Sequence, residues 1–194
     1  MNLMRNTLIT LTLLAAIVGC QDFTPKPEAY PRILYPKHAY EAAPTDNCPF
    51  TFEIPAYAEL MPYTGLGGKP CWYNLSYGQF DATLHLSYVP IHGQRDLDSL
   101  AEDAYKIVFK PHIQRAEEII QREISDTTKN LRGMIYDLEG KTATPFNFYL
   151  TDGKQHFFRG SFYFNSQTTR DSVKPIYDFI NEDIMHTLES FEFK

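Results

Sequence analysis

Three cysteines and six histidines bound most of the chemistry open to this 194-residue chain. A thiol can be acylated, can pair in a disulfide, can attack as a nucleophile or can hold a metal. Cys20 closes the stretch Ile17-Val18-Gly19-Cys20, which has the form of a lipobox, the cleavage site of bacterial lipoproteins. The residues before it fit an export signal. Arg5 is the sole charge, Leu8 to Val18 is apolar apart from Thr10 and Thr12, and a small residue precedes the cut. A membrane-spanning helix needs about 20 apolar residues, and this run is shorter, with Gln21, Asp22 and Pro25 following at once. Residues 1–19 are therefore expected to be removed and Cys20 to carry acyl chains, with residues 20–47 as a proline-rich tether and residues 48–194 as one folded domain.

Cys48 and Cys71 remain. Each falls in phase with an apolar alternation, Cys48-Phe50-Phe52-Ile54 and Cys71-Tyr73-Leu75-Tyr77. Two inward cysteines on neighbouring strands can pair if their Cα atoms come within about 7 Å. The alternatives are a disulfide and two buried thiols, and export favours the first. Zinc is not expected, because no Cys-x-x-Cys or histidine cluster accompanies them.

The remaining reactive side chains are scattered. Asp152 and His156 flank a turn, Asp178, Asp183 and His186 share a helix, His85 sits on the polar side of a strand, and His112 follows Pro111 on a helix surface. Tyr63 to Pro70 contains three glycines and a lysine. A phosphate loop needs a strand before it, a helix after it and Ser or Thr after the Lys, whereas Pro70 and a strand follow here. There is no Gly-x-Ser-x-Gly and no histidine pair at helical metal spacing. No catalytic residue, metal or cofactor is expected from this set.

The elements that position these residues are legible from their periods. Residues 21–47 hold five prolines and read as an extended, semi-rigid segment, with an edge strand over Arg32 to Tyr35. Phe50 to Ile54 alternates as a strand that Pro55 ends. Cys71–Tyr77 and Phe80–Tyr88 form a hairpin, with Ala82, Leu84 and Leu86 on one face and Asp81, Thr83, His85 and Ser87 on the other. Asp96 to about Ile124 has helical spacing, capped by Asp96 or Asp98 and interrupted at Pro111. Leu131–Asp137, Pro145–Thr151 and Gln155–Asn165 are strands, the last two joined at Asp152-Gly153. Asp171 or Ser172 opens a final helix with the stripe Val173, Ile176, Tyr177, Ile180, Ile184, Leu188 and Phe191, while Asp178, Glu182, Asp183 and Glu189 stay outside. Strands joined by tight turns and two helical segments give an α+β fold, a mostly antiparallel sheet with a long central helix and a C-terminal helix packed on it. In outline this is similar to the PsbP/Mog1-like sandwich, a likeness of fold that carries no function.

Charge narrows the partners. The net charge is −6 with Arg5 included, so the chain from Cys20 onward carries about −7, without a Lys/Arg block. Such a domain is ill suited to nucleic acid or to a polybasic membrane contact. Acylation would do the anchoring.

Several blocks together resemble the gliding motility lipoprotein GldD family of Bacteroidetes. They are Cys48-Pro49-Phe50-Thr51-Phe52-Glu53, Cys71-Trp72-Tyr73-Asn74, Ala82 to Tyr88, Thr151-Asp152 with His156-Phe157, Gly160 to Phe164, and Asp171-Ser172, in this order after the lipobox. The resemblance implies an envelope lipoprotein needed by the gliding apparatus and its associated type IX secretion system. It implies an accessory, stabilising role and no catalytic residue set. Asp98-Ser99-Leu100, Asp126-Thr127-Thr128 and Asp171-Ser172-Val173 are similar to the O-glycosylation triplet of that bacterial group, and Thr127, in a loop, is the best placed. Gln21-Asp22-Phe23 lacks an acidic cluster that would resemble a surface-export signal, which favours the periplasmic face. The leading expectation is a lipid-anchored protein–protein module that contacts other envelope machinery. A small-ligand-binding domain with an aromatic pocket is the alternative, and an envelope enzyme the third.

Overall fold

A computed structural model describes residues 32–113, 116–140, 142, 144–166 and 170–194. The expected signal peptide, Cys20 and the first part of the expected tether lie outside the described residues, as do the side chains of Asp171 and Ser172. Leu34–Lys194 form one compact unit. The folded unit therefore begins ahead of the boundary expected at residue 48. Residues from Leu34 on pack with the body, Tyr40–Ala42 form strand β1, and Ala43 and Thr45 are buried. Arg32 to Tyr35, expected as an edge strand, are not in a strand.

Phe50 to Ile54 splits where one strand was expected. β2 (Phe50–Thr51) pairs antiparallel with β11 (Glu192–Phe193) at the C-terminus, and β3 (Glu53–Pro55) pairs with β1. The alternation survives the split, because Phe50, Phe52 and Ile54 are all buried.

The main sheet has seven antiparallel strands in the order β4-β5-β6-β10-β9-β8-β7. They are β4 (Glu59–Pro62), β5 (Tyr73–Tyr77), β6 (Ala82–Pro90), β7 (Ala116–Asp126), β8 (Leu131–Gly140), β9 (Phe146–Thr151) and β10 (His156–Phe164). The β5–β6 hairpin turns through one turn of 3₁₀ helix at Gly78–Phe80. At the β9–β10 turn Gly153 takes a φ of 73°, and the Asp152 carboxylate accepts the N–H groups of Lys154, Gln155 and His156. That is why Asp-Gly at this point reads as a turn.

Helix α1 (Gln94–His112) is shorter than the spacing predicts. Asp96 acts from inside the first turn, accepting the N–H of His92. Pro111 falls in the last turn, and residues 116–124 turn back as β7, paired with β8 from Ala116↔Gly140 to Asp126↔Leu131. Ile119, Ile120 and Ile124 fit a helical period, but they are also β-branched, and a tight turn follows them. Asp126 Oδ1 accepts the N–H groups of Thr128 and Lys129, and Asn130 takes the left-handed conformation that Asn tolerates. Pairing with a neighbouring strand decides between the two periods. β7 is an edge strand, and Glu117, Glu118, Arg122 and Glu123 on it discourage pairing with another chain.

The two sheet faces are covered differently. One carries Leu75, Tyr77, Leu84, Leu86, Phe146, Phe148, Phe158, Phe162 and Ile135, all buried. Helix α2 (Arg170–Ser190) lies on this face with Tyr177, Ile180, Ile184 and Leu188 inward. Phe50, Phe52, Phe158 and Phe191 stack as one group with ring centroids 4.8–6.1 Å apart. Gly160 lies in this row because a Cβ there would meet the Phe148 ring at 2.2 Å. On the other face α1 covers only the β8–β9–β10 side, packing Ala104 and Val108 against Phe157, Tyr136, Leu138 and Tyr149. His112, expected on the helix surface, is buried there, its Nε2 2.9 Å from the Thr144 hydroxyl.

Cys48 and Cys71 are bonded to each other, with their Cα atoms 5.7 Å apart, and the Tyr73 hydroxyl donates to Cys48 Sγ at 3.2 Å. The bond ties β2 to the segment entering β5 across 23 residues. Closing a loop of that length stabilises the folded chain by about 3 kcal/mol. Replacing both cysteines with serine should lower the denaturant midpoint by the corresponding amount, and reductant should no longer shift it. Equal midpoints for the oxidised wild type and the double variant would show that the bond contributes nothing.

Candidate functional sites

The acidic group on α2 does not stay together. Asp178 is exposed and pairs with Lys174 at 2.6 Å, one turn away. Asp183, expected outside, is fully buried. Its Oδ1 accepts His38 Nδ1 at 2.6 Å and the Tyr40 hydroxyl at 2.9 Å, and its Oδ2 accepts the Tyr57 hydroxyl. His38 Nε2 lies 3.2 Å from Glu182. His186 turns away to Glu53 at 2.6 Å and stacks on the Tyr40 ring at 3.5 Å. A buried carboxylate survives only with donors around it, and here all three come from residues 38–57. The stripe rule placed Asp183 on the wet side because helix periodicity reports on the sheet alone. It is blind to a second layer, β1 and β3, packed over the flank of the same helix.

Burial and the Asp183 carboxylate hold the hydroxyls of Tyr40 and Tyr57 protonated well above the usual tyrosine range. Burial does the same to Tyr77, whose hydroxyl has no hydrogen-bond partner among the described residues. This cluster fastens elements together. Three of the carboxylate's acceptor sites are taken by donors inside the protein.

A second site lies on the uncovered half of the other sheet face. The strand register lines up Ser87 with Arg159, Asn74 with His85 and Ser161, and Thr83 with Tyr163 across β5, β6 and β10. Apart from Thr83, these side chains form the floor of an open cleft of about 320 Å³, walled by Tyr63 and Trp72 on one side and by Ile107 of α1 on the other. Trp72 is fixed by its indole N–H, which donates to the Tyr88 carbonyl at 2.8 Å. His85 was expected as an ordinary exposed strand histidine. It is exposed, but packing around its ring lowers its pKa below the usual imidazole value, and Nδ1 sits 2.7 Å from Asn74 Oδ1. Arg159 is half-buried and makes no ion pair among the described residues; burial works against its charge, while Tyr163 and Asp103 nearby favour it. The alternation of β6 marked His85 and Ser87 as polar-facing, but Arg159 and Trp72 carried no signal of belonging to the same site.

Of the other residues singled out, Asp152 and His156 belong to the β9–β10 turn, and the Tyr88 hydroxyl meets His156 Nδ1 at 2.8 Å. Thr127 is exposed in the β7–β8 turn. Among the described residues no group of three or more His, Cys, Asp or Glu is placed to hold a metal.

The family model described as gliding motility lipoprotein GldD matches residues 20–193. No curated protein matches the sequence. Among solved structures, a cyanobacterial PsbP from Synechocystis is similar with a TM-score of 0.47 and 12% identity, covering 82% of this chain and 95% of that one.

The Asp183 cluster makes two predictions. Tyr57→Phe removes a donor from a buried carboxylate and should lower stability by roughly 1–3 kcal/mol, whereas Tyr77→Phe removes an unpaired hydroxyl and should be neutral or stabilising. Thermal melts of the two variants should therefore move apart, and a larger loss from Tyr77→Phe would contradict the geometry. The second concerns alkali. The folded-state pKa values of Tyr40, Tyr57 and Tyr77 lie above the unfolded value of about 10, so the folded chain keeps protons that the unfolded chain releases. Their contribution is complete below about pH 10 and is lost as pH rises beyond it. Stability should fall steeply on that side, with a shallower slope in Tyr57→Phe; an unchanged slope would contradict the assignment.

Proposed function

The chain belongs to the gliding motility lipoprotein GldD family, and from that premise we propose that it is a non-catalytic accessory component of an envelope gliding and type IX secretion apparatus. The observation that carries this reading is a family match that starts at Cys20 and runs through nearly all the rest of the chain. Cys20 is the residue where cleavage and acylation would place a new N-terminus. The lipobox and the apolar leader support anchoring at a membrane, and the periplasmic face is favoured by the lack of an acidic cluster after Cys20. The protein's work would be to bind and stabilise other components of the machine from that anchor. A body pinned by a disulfide and by the Asp183 cluster is rigid enough for such a role. Thr127 would carry an O-glycan, which its exposure in a turn allows.

Fractionation and crosslinking test this together. The full chain should partition with the envelope and carry fatty acyl mass at Cys20, and Cys20→Ala should lose both. Crosslinking in intact cells should join the wild-type protein to other proteins of the gliding and secretion apparatus. Recovery of none of them, with normal secretion in a deletion strain, would remove the proposal.

A further inference from the structure

The cleft beside α1 has the composition of a binding site, and nothing in the anchoring role uses it. Its volume of about 320 Å³ falls at the low end for small-molecule pockets, roughly 300–1,000 Å³. The chemistry on its walls is of three kinds. Arg159 supplies a cation that forms no ion pair among the described residues and feels Asp103 only at longer range, whereas five pairs elsewhere join basic and acidic side chains at 3.2 Å or less. Ser87, Ser161 and Tyr163 supply hydroxyls, each able to donate and accept. Trp72 and Tyr63 supply ring faces, with centroids 6.1 Å apart at 47°.

His85 adds an acceptor. Asn74 Oδ1 accepts from Nδ1, so in the neutral ring Nε2 carries the lone pair. The lowered pKa of His85 agrees with that neutral form. Arg159 is then the cation of the cleft.

We infer that this cleft binds an acidic saccharide, with its carboxylate on Arg159, its hydroxyls on the Ser87–Ser161–His85 floor and a sugar ring against Trp72. A guanidinium holds a carboxylate through two parallel hydrogen bonds, and a flat ring face with mixed donors and acceptors suits a polyhydroxylated ring better than an alkyl chain. The overall charge separates the anion classes. A chain with a net charge of −6 repels a polyanion at long range, while one carboxylate inside the cleft meets Arg159 at short range. A polyphosphate or a nucleic acid is therefore disfavoured. The inference does not depend on the anchoring role and can fail without it.

The test has a built-in reporter, because Trp72 is the only tryptophan in the chain. The full-length protein, purified in detergent, is titrated with glucuronic acid and with N-acetylmuramic acid, and the indole emission is followed. Glucose and N-acetylglucosamine serve as neutral controls. Saturable quenching or a spectral shift with either acid, absent with both neutral sugars, is the expected result. Which acid binds tells a ring carboxylate from one carried on an ether side chain. Arg159→Met should weaken binding about ten- to a hundredfold, the usual contribution of a charge-assisted hydrogen bond. Should that variant fail to melt cooperatively, Ser161→Val, which crowds the floor and leaves the cation, should also abolish the signal. No response to either acid up to about 10 mM, beyond the weak end of specific binding, overturns the inference. So does equal binding of neutral and acidic sugars, or binding that Arg159→Met leaves intact.

Discussion

One buried carboxylate fixes how this molecule is assembled. Asp183 sits inside the protein on a helix whose apolar stripe faces the sheet, and its charge is tolerable only because His38, Tyr40 and Tyr57 donate to it. Those donors lie more than 120 residues away in sequence. The consequence runs in both directions. The N-terminal segment has a place to dock because the acid is there, and the acid can be buried because the segment docks. Breaking a buried set of this kind leaves an uncompensated charge, which costs more than the hydrogen bonds themselves contribute. Phe179 extends the junction, its ring 4.3 Å from His38 and 4.7 Å from Tyr35.

The asymmetry of the sheet follows from what each face has available to cover it. The face under α2 also receives β1–β3 and β2–β11, and it is filled with phenylalanine. The opposite face receives one helix of 19 residues, which reaches over β8, β9 and β10. The rest of that face is left to polar side chains. Strand alternation turns Asn74, His85, Ser87, Arg159 and Ser161 outward there for the same geometric reason that it turns Leu75, Leu84, Leu86, Phe158 and Phe162 inward. The cleft is therefore a product of the topology as much as of the residues lining it.

Much of this was legible in the sequence, and the gaps have physical causes. The strands of β5, β6, β8, β9 and β10 and the C-terminal helix follow from clean periods and from turn chemistry at Gly78 and at Asp152-Gly153. Cys48 and Cys71 were read as inward strand positions, but both lie just outside the strands, and Cys71 sits in a turn at a φ of 64°. The stretch from Ala116 to Ile124 was misread as helix because its isoleucines satisfy a period of 3.6 while its fate was decided by pairing with β8, a non-local interaction. Strand β4 carries Pro62 and only four residues, too few to show a period. Asp183 was misplaced because a helix wheel cannot reveal a second covering layer. The cleft was invisible for a related reason: Trp72, His85 and Arg159 come from different strands and loops, and only the register brings them together.

The earlier start of the folded body bears on the anchoring role. With a tether running to residue 47, the chain from Cys20 would have 28 residues of slack, and full extension would allow about 100 Å of standoff at 3.3–3.6 Å per residue. With a body that begins at Leu34, an anchor at Cys20 would be separated from it by at most 14 residues, and the same covalent limit would fall to about 50 Å. An anchored protein so restricted samples a thinner shell, which raises its effective concentration toward anything fixed at the same surface. The Asp183 cluster is one of the contacts that hold residues 34–42 on the body, together with the β1–β3 pairing and the Tyr35 ring on Phe179. If Cys20 carries the lipid as proposed, the same buried acid that stabilises the fold would also bound how far from the membrane the protein acts.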